Sequence, residues 1–230
     1  MISIAVGILF LGQKVAPKPV LAFQLDGTVV SPTPVTWRPG SKVIPVPRGV
    51  GIEFKGSSGW MVPDDPKLVL TKALTISAWI KPEDYVTSGP GAQILFRGDD
   101  RNGLDPYQMT ITPTGKVAFG IQNDKGKSMT LDCDVPLHLW THVVGSFDSK
   151  IGELRLYVNG KLMDTLLTSI FPIGFLEAKS APGVGVGNIQ WDKGPHNQPY
   201  HGVLADVRLY NVALTPKDVQ FHPEGWNDPF

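Results

Sequence analysis

The sequence predicts an all-β fold, two antiparallel sheets stacked face to face as a sandwich. Three observations carry that expectation. Beyond Gly51, apolar and polar residues alternate with period two through most of the chain. Turn chemistry separates the alternating runs: Asn159-Gly160 offers the two positive-φ positions of a tight hairpin, and Pro113-Thr114-Gly115 and Asp124-Lys125-Gly126 sit between further strand candidates. Gly 25 and Pro 21 make up a fifth of the 230 residues, which suits many turns and few long helices. About a dozen short strands with almost no helical periodicity call for two packed sheets.

The elements follow in order. Met1–Gly12 is a continuous apolar run, too short for the roughly twenty residues of a membrane-spanning helix. It lacks a basic flank and a clean small-x-small cleavage site. An export or anchoring role for residues 1–19 is favoured over a buried edge strand, and a membrane tether through residues 1–12 stays open. Leu21–Leu25 reads as a first strand. Ser31–Pro47 holds five prolines and reads as an extended covering loop before a strand at Gly51–Phe54.

In Thr75–Lys81, Ile76, Ala78 and Ile80 share one face; in Tyr107–Thr112, Tyr107, Met109 and Ile111 do so. Glu153–Val158 turns Leu154, Leu156 and Val158 inward, and Val203, Ala205, Val207 and Leu209 repeat the scheme in the last long strand. Thr215–Val219 allows one helical turn. One domain over residues 20–222 and a tail over 223–230 account for the chain, with no internal repeat.

Composition excludes several function classes. With 21 basic and 21 acidic residues the net charge is zero and no basic block stands out, so there is no footprint for nucleic acid or an anionic membrane. Cys133 is the single cysteine, which rules out an internal disulfide and a CxxC metal or redox site. It reads as a small buried hydrophobe.

Five segments carry a family resemblance: G-I-E-F-K-G-S-S-G-W-M-V-P (51–63), L-T-I-S-A-W-I-K-P (74–82), L-W-T-H-V-V-G-S-F-D (139–148), E-L-R-L-Y-V-N-G (153–160) and H-G-V-L-A-D-V-R-L-Y-N-V-A-L-T (201–215). In this order the chain resembles a laminin G-like jelly roll of the concanavalin A-like lectin/glucanase superfamily, over roughly residues 20–220. The resemblance implies the jelly-roll fold and leaves function open, because that fold hosts lectins, adhesion modules, glycosidases and structural domains.

Glucanases of the superfamily carry E-x-D-x-x-E on one strand, a carboxylate pair for retaining hydrolysis. No such run occurs here. Asp132 and Asp134 flank Cys133 at a strand end and read as solvated. His138 and His142 flank Trp140 and read as local packing. The chain is therefore expected to be a non-enzyme.

Binding is the remaining expectation, through loops at the ends of the sandwich. Arg97–Tyr107 carries Arg101, Asn102 and Asp105; Asn188–Tyr200 carries Trp191, Asp192, His196, Asn197 and Tyr200. Trp191 and Tyr200 with their polar neighbours form the best candidate sugar platform, with a fold-back onto the sandwich and a protein anchor as alternatives. The resemblance further implies a calcium site at Asp105, main-chain carbonyls near Asn123, and Asn197 or Asp192. Calcium requires six to eight oxygens. An alternative metal pair is Asp26 with Asp206, against which stands a salt bridge from Asp206 to Arg208. Arg97-Gly98-Asp99 is discounted as a chance integrin-type tripeptide, and Trp60 and Trp79 read as structural.

The expected protein is an extracytoplasmic binding module for a glycan or, alternatively, an accessory subunit for a protein partner in an envelope-associated assembly. A degenerate glycoside hydrolase comes third.

Overall fold

The computed structural model describes residues 16–85, 91–99, 105–177, 183–190, 194, 196–215, 217–218 and 224–226. Met1–Gly12 lies outside them. Sixteen strands occur among the described residues. The first six are β1 (Leu21–Phe23), β2 (Val29–Val30), β3 (Thr36–Trp37), β4 (Ser41–Val46), β5 (Gly49–Phe54) and β6 (Trp60–Pro63). The middle five are β7 (Ala73–Pro82), β8 (Ala92–Gly98), β9 (Tyr107–Ile111), β10 (Lys116–Gln122) and β11 (Ser128–Asp134). The last are β12 (Thr141–Asp148), β13 (Glu153–Val158), β14 (Lys161–Leu167), β15 (Gly183–Val186) and β16 (Gly202–Tyr210).

They form two antiparallel sheets, confirming the sandwich and the jelly-roll expectation. One sheet runs β14-β13-β12-β7-β16-β1-β2, with the β4–β5 hairpin joined to β16; the other runs β11-β10-β9-β8-β15-β6-β3. The facing sides bury one continuous core that includes Phe54, Trp60, Ile76, Tyr107, Phe119, Phe147 and Leu156. The two sheets approach so closely that a Cβ on Gly145 of β12 would sit 2.2 Å from Phe119 of β10. Asn159 and Gly160 adopt φ of 50° and 75°, the left-handed pair that the β13–β14 hairpin requires.

Three features depart from the sequence reading. Part of the proline-rich stretch is strand: β4 contains Pro45, which is tolerated because β4 pairs only with β5, so the missing N–H faces an open edge. In β16, Val203, Ala205, Val207 and Leu209 do not share a face. The register against β7 shifts between Ala205 and Arg208, where Asp206 takes a φ of 48°. Leu204, Val207 and Leu209 enter the main core, while Val203 and Ala205 turn to the outer side.

That outer side is the third departure. It carries a second, smaller core of Val46, Trp79, Trp140, Val203, Ala205 and Trp226, so β7 is buried on both faces. Trp226 stacks on Trp79 at 4.2 Å and 11°, and meets Trp140 edge-on at 4.7 Å. Residues 224–226 of the segment read as a tail are thus a docked part of the fold. The Asp218 carboxylate accepts from the Thr215 amide and hydroxyl.

Candidate functional site

The described parts of both expected binding loops meet at one end of the second sheet. β8 delivers Gly98 and Asp99 there, β9 starts from Asp105, β10 ends at Gln122, and the β15–β16 connection returns across the outer face of β8. That connection is held by side-chain amides, of which Gln93 and Asn188 are fully buried. Gln93 donates from Nε2 to the His196 carbonyl (2.9 Å) and accepts from the Ile189 amide at Oε1 (2.7 Å). Asn188 donates from Nδ2 to Asn197 Oδ1 (2.8 Å), while its Oδ1 accepts from the Gln190 and Gln198 amides. Gln190 Oε1 accepts from the His196 amide at 2.8 Å. Each bond satisfies a group that burial would otherwise penalise. The two ends of the loop tip, Gln190 and His196, are therefore fixed.

His196 joins the two loops. Its ring packs on Phe96 (centroids 4.9 Å), and Nε2 lies 3.3 Å from Asp105 Oδ1. Burial pushes the Asp105 carboxyl up to about 6, against the opposing pull of His196 and with a further push from Asp99. The Asp105 amide donates to Gln122 Oε1 (2.6 Å), and Asp99 accepts from the Glu177 amide (2.8 Å). Arg97 is wholly buried and makes two parallel bonds to Asp64, both 3.0 Å. The Arg97-Gly98-Asp99 tripeptide is thus folded inward, with both charged side chains interior.

Of the residues singled out in the sequence, the structure brings together Asp105 and His196, while Asn197 is engaged by Asn188. Trp191, Asp192, Arg101 and Asn102 lie outside the described residues. Tyr200 stands apart from the rim: it is 1% exposed, packs edge-on against Phe54 in the main core, and presents no ring face to a ligand. Its phenol is driven well above its ordinary range by burial.

The expected calcium ligands are engaged otherwise. Asn123 Oδ1 accepts from the Lys125 and Lys127 amides of its own hairpin, Asn197 Oδ1 accepts from Asn188, and Asp105 faces an imidazole. Among the described residues no three His, Cys, Asp or Glu side chains stand together as a metal group. As placed, the side chains of Asp105, Asn123 and Asn197 do not by themselves form a calcium site, and the alternative ligand Asp192 lies outside the described residues. At the alternative pair, Asp206 accepts from Arg208 Nε at 2.7 Å and Asp26 accepts from the Thr28 amide at 2.9 Å. The salt bridge is the arrangement present.

His142 bonds Ser77 Oγ through Nε2 (3.1 Å) and lies against Trp79; burial, aided by Arg208, holds it down to about 3. Asp132 pairs with Lys116 at 2.8 Å on the exposed surface.

Sequence reasoning missed the strap Ser169–Glu177, which runs between β14 and β15 across the same end. Phe171 and Phe175 project from it, 48% and 69% exposed. The only sequence signal was the alternation of Phe171, Ile173 and Phe175 around Pro172 and Gly174.

Comparisons with known proteins place this geometry. A Laminin_G_3 family model, described as the concanavalin A-like lectin/glucanases superfamily, matches residues 54–220. The "Sushi, von Willebrand factor type A, EGF and pentraxin domain-containing protein 1" of Rattus norvegicus is 25% identical over 183 residues, 76% of this chain. The chain spans only 5% of the length of that relative and of its Mus musculus counterpart. Domain 4 of AbnA, a GH43 extracellular arabinanase from Geobacillus stearothermophilus solved with arabinotriose, superposes with a TM-score of 0.63 at 20% identity, over 89% of this chain and 97% of that one. The binding domain of botulinum neurotoxin DC with SialylT gives 0.63 at 16% identity, over 87% and 50%. The same domain with rat synaptotagmin II gives 0.61 at 17%, again over 87% and 50%. At these identities the likeness to the solved structures is one of fold.

Proposed function

This chain belongs to the concanavalin A-like lectin/glucanases superfamily, and on that premise we propose that it is a non-catalytic module that recognises carbohydrate through the end loops of its sandwich. The observation that carries the reading is the side-chain amide frame of Gln93 and Asn188, both buried, with half-buried Gln190. It holds both ends of the loop tip that bears Trp191 and Asp192. Buried polar side chains spent on a single irregular loop preorganise whatever the loop presents. In sequence the segment between these anchors carries an aromatic and a carboxylate, Trp191 and Asp192, the residue types of a sugar platform. The arabinanase domain that shares the fold was solved with arabinotriose, and the neurotoxin domain with SialylT, which supports a carbohydrate ligand.

A second reading rests on the neurotoxin domain in complex with rat synaptotagmin II: the same loops would hold a protein partner, with the chain as an accessory subunit of an envelope-associated assembly. The absence of an E-x-D-x-x-E run argues against hydrolysis in either case. Both readings place the protein outside the cytoplasm, tethered or exported through residues 1–12. Among the described residues no helix is long and apolar enough to cross a membrane.

A glycan array read with calcium and with chelator tests the proposal, using the whole chain and Trp191→Ala. Glycan binding that Trp191→Ala reduces supports it. A blank array in both conditions, together with a co-purifying protein, moves the assignment to the second reading. Binding that disappears with chelator would restore calcium to the site.

A further inference from the structure

The strap Ser169–Glu177 is fixed on both sides of Phe175. Ile173 donates its amide to the Gln122 carbonyl (2.9 Å) and accepts from Arg97 Nη1 (3.3 Å), and the Glu177 amide is held by Asp99. Ile170, Ile173 and Leu176 are buried beneath it. The chain is thus held at Ile173 and Glu177, two residues to either side, while the Phe175 ring stands in solvent. Phe171 leans one edge on Phe147, with centroids 6.3 Å apart. A rigidly mounted phenyl ring loses little freedom on meeting a ligand, and an exposed aromatic on such a mount marks a contact surface.

Two clefts share the Phe175 ring. One, of about 340 Å³, lies between Phe171, Phe175 and the Asn123–Lys125 turn. The other, of about 450 Å³, lies between Phe175 and Asp64, Asp65 and Val69. Each reaches the size range of small-ligand sites.

We propose that these two clefts, with Phe175 as the stacking platform between them, form a binding site for a neutral oligosaccharide, one sugar unit on either side of the ring; this rests on the reading of the chain as a carbohydrate-binding module. The flat apolar face of a sugar ring matches a phenyl face. The carboxylates of Asp65 and Asp124 lie at the flanks as acceptors for hydroxyl groups, and the Asn123 Nδ2 group is a donor, since its Oδ1 is already engaged. Charge selects for neutrality. Arg97 offsets Asp64, and among the lining residues Asp65 and Asp124 then outnumber Lys125, so sialylated or sulfated chains meet repulsion. Two open clefts beside a ring suit a chain of sugar units better than the single deep pocket that a peptide anchor residue fills.

The test is titration of the whole chain with arabinotriose, cellotriose, maltotriose and sialyllactose, followed by calorimetry and amide chemical shifts. Wild type, Phe175→Ala and Trp191→Ala are compared, with a displayed peptide library as a further arm. Phe175 is exposed, so its replacement leaves the fold intact. A neutral trisaccharide should shift the amides of the strap and lose about tenfold in affinity in Phe175→Ala, with sialyllactose weaker. Loss in Trp191→Ala with Phe175→Ala unaffected overturns this site and leaves the loop reading standing. Loss in Phe175→Ala alone supports the site and removes the loop from it. Preference for sialyllactose, a peptide that depends on Phe175 with no sugar response, or no sugar response at all each overturns the site.

Discussion

Removal of one indole from the outer face of the first sheet should cost a large share of the stability of this protein. Trp226 is 1% exposed, stacked on Trp79 and edge-on to Trp140. Burying an aromatic of this size removes about 200 Å² from water. At about 25 cal/mol per Å² this stabilises the docked segment by about 5 kcal/mol. Two aromatic pairs add about 2 kcal/mol together. Against this stands the ordering of Glu224–Trp226, at about 1–2 kcal/mol per residue. The net is about 3 kcal/mol, the free energy that Trp226→Ala should forfeit. Urea titration followed by circular dichroism should show that loss, with a melting temperature lower by about 6–12 °C. The emission of Trp79 and Trp140 should shift to the red as their outer faces meet water. Trp226→Phe should recover about half. A change below about 0.5 kcal/mol in Trp226→Ala, with emission unmoved, would refute the second core as a contributor to stability.

Other expectations follow from the same geometry. Gly145→Ala places a methyl against the Phe119 ring and should destabilise by about 2 kcal/mol or more in urea titration, with partial recovery in the double variant that adds Phe119→Leu. Gln93→Leu leaves the Ile189 amide and the His196 carbonyl without their side-chain partner; it should cost about 2–4 kcal/mol and speed exchange of the Ile189 amide. His142 is held down to about 3, so the unfolded chain binds its proton first. Stability should therefore fall as pH drops from about 6.5 toward 3, and His142→Gln should flatten that limb. Asp105 has the opposite sign: raised to about 6, it binds its proton more tightly folded than unfolded. Its contribution is present below pH ~4 and lost as pH rises through about 6, so Asp105→Asn should be relatively more stable above pH ~6 by at most about 3 kcal/mol. Thermal melts across pH 3–8 separate the two.

The strand pattern was legible where alternation ran unbroken. Leu154 and Leu156, or Tyr107, Met109 and Ile111, enter the core as the period-two reading requires, and Asn159-Gly160 turns where its chemistry says. The reading failed where one residue was added. The bulge at Asp206 turns Val203 and Ala205 to the other face, and a slip of this kind leaves composition unchanged. Pro45 signalled a loop because it cannot serve a central strand, yet edge position is a property of topology that no local window contains. Trp79 sat on a side that looked polar, since its cover comes from β4, β16, Trp140 and Trp226, distant in sequence. The candidate site divides likewise. The irregular composition of Asn188–Tyr200 drew notice to it, but Tyr200 belongs to the core, and the anchoring of that loop by Gln93 joins residues about a hundred positions apart. Phe175 was invisible because exposure depends on Gln122, Arg97 and Asp99 holding the strap from below.

The position of β16 has a consequence for how the molecule is born. It pairs with β7 on one side and with both β1 and β5 on the other. A ribosome releases it after every one of those partners. Until Tyr210 emerges, β1 has only β2 and β5 only β4 beside it, each leaving one side open, and β7 presents a bare edge of Ile76, Ala78 and Ile80. The nascent chain therefore carries adhesive edges through nearly the whole of its synthesis and closes late, through contacts of the longest range it possesses. Yield during expression should accordingly depend on chaperone supply and on the rate of translation through the last strands.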